Sequence, residues 1–228
     1  MGNYNKNMGY GRQFLADYPS LGGKVFIVMS STDARYNMVQ EIIDVDPDGL
    51  VRLYTDLEEA YAATVTNSND VIYYFGGSSS QSLTDTLTWS KNYVHLIGVC
   101  APVGIGNRAR IFMTAGLDDA TMITISGSGC IFKNISIFHG IDDAAALVAV
   151  TLTGERNYFE NVRIAGIGND TQDAAGAASL KMDGCAENTF VNCVIGLDTV
   201  AAGTAANSEI LVDGSASRNL FKNCKIVR

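Results

Sequence analysis

Four stretches of the chain align without gaps: CIFKNISI (Cys130–Ile137), NYFENVRI (Asn157–Ile164), NTFVNCVI (Asn188–Ile195) and NLFKNCKI (Asn219–Ile226). Phenylalanine recurs at Phe132, Phe159, Phe190 and Phe221, and asparagine follows two residues later at Asn134, Asn161, Asn192 and Asn223. Ahead of each copy lies an apolar alternation ending in glycine: ITISG (Ile123–Gly127), VTLTG (Val150–Gly154), LKMDG (Leu180–Gly184) and ILVDG (Ile210–Gly214). A period of 27 to 31 residues with two period-2 segments per repeat predicts a stacked array of strands.

Spacing inside the repeat carries geometry. Cys193 and Ile195, like Cys224 and Ile226, are two residues apart and share one face of a strand. The phenylalanine lies three residues before that cysteine, an offset no straight strand reconciles, so the chain turns a corner at the asparagine. Asparagine tolerates left-handed backbone angles and can hydrogen-bond its own backbone there. Stacked coils then place Asn134, Asn161, Asn192 and Asn223 above one another, about 4.8 Å apart, as an amide ladder. Gly127, Gly154, Gly184 and Gly214 mark a second corner. Helical and leucine-rich solenoids do not fit, because the repeats are rich in Val, Ile, Thr and Phe and lack a 3.6-residue period.

Composition agrees. The 228 residues hold 47% hydrophobic and 18% charged side chains, 23 Gly and only 3 Pro, as repeated tight corners require. A formal net charge of −8 without clustered Lys and Arg excludes nucleic acid as a partner. No apolar run approaches the roughly 20 residues of a membrane span, and the N-terminus has no secretory apolar core. With two histidines, His95 and His139, zinc sites and Ser-His-Asp chemistry are not expected, and no metal or cofactor is assigned.

On these residues the chain resembles the right-handed parallel β-helix, or pectate-lyase-like, superfamily over roughly residues 55–228. Asp56–Thr64, Asn69–Gly77 and Ser90–Val99 resemble the usual beginning of that fold, where an amphipathic helix plugs the stack and the first strands follow. The expectation is an all-β solenoid of about five to six coils. The fold hosts lyases, hydrolases, tailspikes and inert structural proteins. In texture the Ala/Gly/Thr-rich coils are similar to phage virion proteins.

Residues 1–54 read as an N-terminal arm and cap or attachment element ahead of the β-helix of 55–228. Residues 1–22 are polar and rich in Gly, Asn and Tyr, an extended arm that orders against a partner. Gly23–Ser31 alternates as a strand, and MVQEIIDV and LVRLYT suggest two more, flanking a turn at Asp46–Gly49. Thr55 with Glu58 forms a capping-box pattern for one short helix. Asp44, Asp46, Asp48 and Gly49 imitate the start of an EF-hand, but its twelfth position is Thr55, so a type I turn is expected there. Gly104, Gly106 and Ala109 imitate a dinucleotide fingerprint, but the following ARIFMTAG reads as a strand, so this is a glycine-rich loop.

Asp183 and Asp213 are the best catalytic candidates. Each precedes the repeat glycine, faces solvent beside an inward Met182 or Val212, and lies about 5 Å from its counterpart, compatible with a retaining glycosidase. Lys181 neighbours Asp183, but Leu211 occupies the matching place beside Asp213. The alternative is a position that favours small polar or acidic residues before a glycine turn. Asp142, Asp143, Asp170, Asp173 and Asp198 read as solvating charge in Ala/Gly loops. Loops 165–179 and 196–208 are either subunit-contact faces or plain turns. Cys193 and Cys224 should be stacked, inward, free thiols; Cys100, Cys130 and Cys185 show no pairing pattern. Trp89 reads as packing rather than a sugar platform.

The functional expectation is a non-enzymatic phage virion protein: a head-decoration, head-fibre or tail-associated component. It would be made in the host cytoplasm, form a homo-oligomer with a trimer favoured, and dock on a capsid or tail lattice. The alternative is a polysaccharide-binding or -cleaving tailspike or lyase-like domain, with Asp183, Asp213, Trp89 or Tyr93 contacting glycan. The chain stops at Lys225–Arg228 within the fourth strand copy, so either a partner covers that end or further coils follow.

Overall fold

Each repeat closes into one coil because its three short strands pair, in register and parallel, with those of the coils on either side. The computed structural model describes residues 23–43, 49–77, 80–114, 120–200, 203 and 206–228. The arm of residues 1–22 and the Asp44–Asp48 run of the turn lie outside them. The strands form three sheets of eight, six and five members. The long sheet runs through 53–54, 25–28, 71–75, 95–99, 131–133, 158–160, 189–191 and 220–222. The six-stranded sheet holds 81–83, 110–113, 136–138, 163–165, 194–196 and 225–227. The five-stranded sheet holds 87–89, 121–125, 148–152, 178–183 and 208–213. This is a parallel β-helix, as the repeat predicts.

In-register pairing stacks like on like. Phe132 pairs with Phe159, Phe159 with Phe190 and Phe190 with Phe221. Their rings lie 5.0, 4.5 and 4.6 Å apart, within 10° of parallel. The column continues towards the N-terminus through Trp89, 5.4 Å from Phe132, and Tyr61, 4.3 Å from Trp89. Trp89 is therefore packing, 1% exposed. Fixed registers of this kind come from burial of one strand face, since a one-residue slip would turn every phenylalanine outward.

Both corners are legible in backbone angles. Asn134, Asn161, Asn192 and Asn223 have φ between 52° and 55°, the left-handed region in which asparagine is least strained. Their side-chain ladder is partial: Asn161 Nδ2 donates to Asn134 Oδ1 at 3.2 Å. At the glycine corner, Gly184 and Gly214 have φ of +65° and +57°. Gly127 and Gly154 are needed for close approach, because a Cβ would run into the carbonyls of Lys91 and Gly127 respectively.

A second asparagine ladder lies just past the glycine corner, at Asn157, Asn188 and Asn219. Each Oδ1 accepts the backbone N–H at the same position of the preceding coil: Asn157 from Cys130 at 2.8 Å, Asn188 from Asn157 at 2.9 Å, Asn219 from Asn188 at 2.9 Å. Each Nδ2 donates to a carbonyl of the preceding corner, Gly127, Gly154 or Cys185. Asn157 and Asn188 are fully buried. They satisfy backbone groups that a sheet ladder leaves unpaired at a bend.

Helix α1 (Tyr36–Ile43) stands where the MVQEIIDV segment suggested a strand. Tyr36 and Val39, three apart, pack on the outer face of the long sheet against Ile27, Met29, Val71, Tyr73 and Ile97. Asn37, Gln40 and Glu41 stay exposed, so the segment has a helical rather than an alternating division. Helix α2 (Leu57–Ala63) plugs the stack: Leu57, Ala60 and Tyr61 join the interior core. Its N-cap is Asp56, one residue beyond the expected Thr55, and Asp56 Oδ1 accepts from Glu58 N at 2.8 Å and Glu59 N at 3.0 Å. At its other end Lys91 Nζ donates to the carbonyls of Tyr61, Ala62 and Thr64, a cation at the negative pole of the helix.

Asn188→Ala strands the Asn157 amide and the Gly154 carbonyl in the interior, and should lower stability by about 3 kcal/mol in denaturant unfolding. Asn192→Gly, at an exposed left-handed corner, should be nearly silent, whereas Asn192→Val should cost about 1–2 kcal/mol.

Candidate functional site

The five-stranded sheet brings the expected acids together. Asp183 and Asp213 are register partners on strands 178–183 and 208–213. Lys181, two residues before Asp183 on its strand, places Nζ 3.2 Å from Asp183 Oδ2 and 3.4 Å from Asp213 Oδ2. One lysine thus serves both acids, although Leu211 holds the place beside Asp213. The Gly214 amide and then Lys181 hold the Asp213 carboxyl below its ordinary value, and the two carboxylates, Asp183 first, raise the lysine. A retaining glycosidase needs one carboxyl kept protonated beside an ionised one. Here one cation bridges the two carboxylates.

A third carboxyl of this sheet is hidden. Glu209, at the outward position of its strand, is 4% exposed, with its carboxyl beside Gly196. Ser179 Oγ donates to Glu209 Oε2 at 2.6 Å and accepts from Gly166 N at 2.9 Å. Burial pushes the Glu209 carboxyl up. Sequence reasoning passed over this residue; the only signal was a glutamate at an outward register place otherwise occupied by Met122, Ala149 and Ser179.

Other titratable groups are equally enclosed. His95 accepts the Ile131 amide at Nδ1, while its Nε2 and both ring nitrogens of His139 are buried without a partner among the described residues. Burial lowers both imidazoles to about 4. All five cysteines are free, and burial raises the Cys193 thiol to about 12, far from a reactive thiolate. Among the described residues no group of three or more His, Cys, Asp or Glu is placed to hold a metal, and no helix is long and apolar enough to cross a membrane. Of the loop acids, Asp173 bonds the Asn207 side chain and Asp143 accepts the Ala145 amide.

A surface groove of about 500 Å³ follows the asparagine corner. Asn161, Asn192, Asn223, Val194 and Lys225 line it together with Pro102, Gly104 and Ile105 of the glycine-rich loop. That loop leads into the strand Arg110–Met113, as expected. Asn107 pins it by donating to the Ile135 and Asn161 carbonyls at 3.4 and 3.0 Å. Ile105 is 65% exposed at its tip. Tyr93, also exposed, lies elsewhere, with its ring over Gly129.

No protein-family model and no curated protein matches the sequence. Among solved structures the chain is similar to pectin methylesterase PemA from Erwinia chrysanthemi, with 21% identity and a TM-score of 0.55 over 90% of this chain and 55% of that one. It is similar to pectate lyase Pel9A, with 14% identity and a TM-score of 0.52 over 90% and 48%. Geobacillus virus E2 ORF18 matches with 13% identity and a TM-score of 0.47 over 83% and 43%. The chain spans about half the length of these proteins. It shares the parallel β-helix fold with pectin methylesterases and pectate lyase.

Two histidines held near 4 in the fold but near 6.5 when unfolded make the chain acid-sensitive: their contribution is complete above pH 6.5 and is lost as pH falls towards 4, by up to about 3 kcal/mol each. Glu209 acts oppositely, its contribution being lost as pH rises from 4.5 through its raised value. His139→Leu should leave stability at neutral pH unchanged or higher and remove about half of the histidine-linked loss, read by denaturant midpoints across pH 4–7.

Proposed function

We propose that the chain is a non-enzymatic structural component of a phage virion, a head-decoration, head-fibre or tail-associated part that self-associates, as a trimer, and docks on a capsid or tail lattice. The observation that carries this reading is the neutralised acid pair. Asp183 and Asp213, the acids that the repeat brings together at the surface, are bridged by Lys181, while Glu209 is buried and closed off from substrate. General acid–base work needs accessible groups whose environments push their proton affinities apart. The like-on-like ladders suit persistence rather than motion, and the virion setting itself rests on the phage-like texture of the Ala/Gly/Thr-rich coils.

A second reading, a polysaccharide-binding or -cleaving tailspike or lyase-like domain, is favoured by the groove along the asparagine corner. Amides at coil spacing beside an exposed Ile105 and Pro102 could meet sugar hydroxyls and an apolar sugar face.

Mass photometry of the chain with and without residues 1–22, together with binding to purified virions lacking the protein, separates the two. A trimer that attaches through residues 1–54 is expected. A stable monomer that does not attach, and that alters surface glycans in an Asp183→Asn/Asp213→Asn-sensitive manner, would replace the first reading with the second.

A further inference from the structure

The outer face of the six-stranded sheet carries an arrangement that neither reading uses. Ile111, Ile137 and Ile164 point inward and are buried, so their neighbours Arg110, Ser136 and Arg163 lie on the outward face. Ser136 pairs in register with both Arg110 and Arg163. The two arginines are thus two strands apart, about 9.5 Å at the backbone, a separation that two long guanidinium arms span easily.

Among the described residues no acid forms an ion pair with either cation, unlike several other surface charges. Lys133 pairs with Glu160, Lys181 with its two aspartates, and Arg156 and Arg218 share Glu187. Arg110 instead lies over the Phe138 ring, 4.4 Å from its centroid, which fixes its direction. Arg163 is half-buried, and its Nε is enclosed with no acceptor among the described residues. Desolvation and then repulsion from Arg110 lower its proton affinity, against a weaker pull from the exposed Asp198. In a chain with a formal net charge of −8, two mutually repelling guanidiniums two strands apart in one column are an unfavourable arrangement unless something anionic joins them.

From this geometry we propose an oxyanion-binding site on the outer face of the six-stranded sheet, formed by Arg110 and Arg163 across Ser136. The ligand group is a phosphate, sulfate or carboxylate, which takes the planar guanidinium forks. The site lies on a different sheet from the Asp183–Asp213 pair and depends on neither functional reading.

The test uses the full chain, titrated at constant ionic strength with inorganic phosphate, sulfate, glucuronate and, as a neutral control, glucose. Arginine Nε–H resonances report the site, and calorimetry gives affinity. Phosphate or sulfate should move the Arg163 Nε–H signal, and Arg163→Gln or Arg110→Gln should each weaken binding by about tenfold or more. Glucuronate moving the same signal where glucose does not identifies a uronic acid as an accepted carrier of the charge. Phosphate and sulfate alone doing so identifies a phosphoryl or sulfuryl group. Without anion, Arg163→Gln should melt no lower than the native chain, and added phosphate should raise the native melting temperature but not the variant's. An Arg163 signal unmoved by all three anions, or affinity unchanged in both glutamine variants, would overturn the proposal.

Discussion

Everything in this molecule hangs on the hydrogen bonds that carry the chain around its buried corner. A sheet ladder pairs backbone groups only while the strand is straight, and a coil must bend three times. At the bend before the last three long-sheet strands, Asn157, Asn188 and Asn219 substitute side-chain amide for backbone, accepting one N–H and donating to one carbonyl of the coil beneath. The substitute keeps its place two residues before its phenylalanine, while the corner glycine lies five residues ahead of Phe132 and Phe159, six ahead of Phe190 and seven ahead of Phe221. The phenylalanine column follows two residues later as a consequence of that alignment.

The fold was legible because stacking forces identity: phenylalanine and asparagine must recur at fixed offsets if they lie above one another. What was less legible depends on partners distant in sequence. The inner asparagine ladder was visible as Asn157, Asn188 and Asn219 opening three of the four aligned copies, but Cys130 breaks the pattern in the first, and only its bonds distinguish it from the outer corner. Segment 38–43 is too short and mixed for its period to decide, and the apolar outer face of the long sheet made it a helix. The stacked Cys193 and Cys224 followed from their place in the repeat.

The surface chemistry was harder to read. Lys181 joins Asp183 to Asp213 across two coils, which required knowing the side-chain reach as well as the register. Glu209 faces outward in the repeat yet is buried beside Ser179 and Gly196, so its carboxyl could not be told from solvating charge. Arg110 and Arg163 are 53 residues apart and fall in different contexts; only the pairing of both with Ser136 places them in one column. The fold shared with pectin methylesterases and pectate lyase leaves the chemistry to these local arrangements.

The inner asparagine ladder also has a direction. In every pair the amide of the earlier coil donates to the side chain of the later one, so no coil completes its own corner. Each finished turn leaves a donor that only its successor can accept, and each successor arrives carrying the acceptor. The ladder is therefore polar: along these coils its donors all face the C-terminal end of the stack and its acceptors the helix-plugged end.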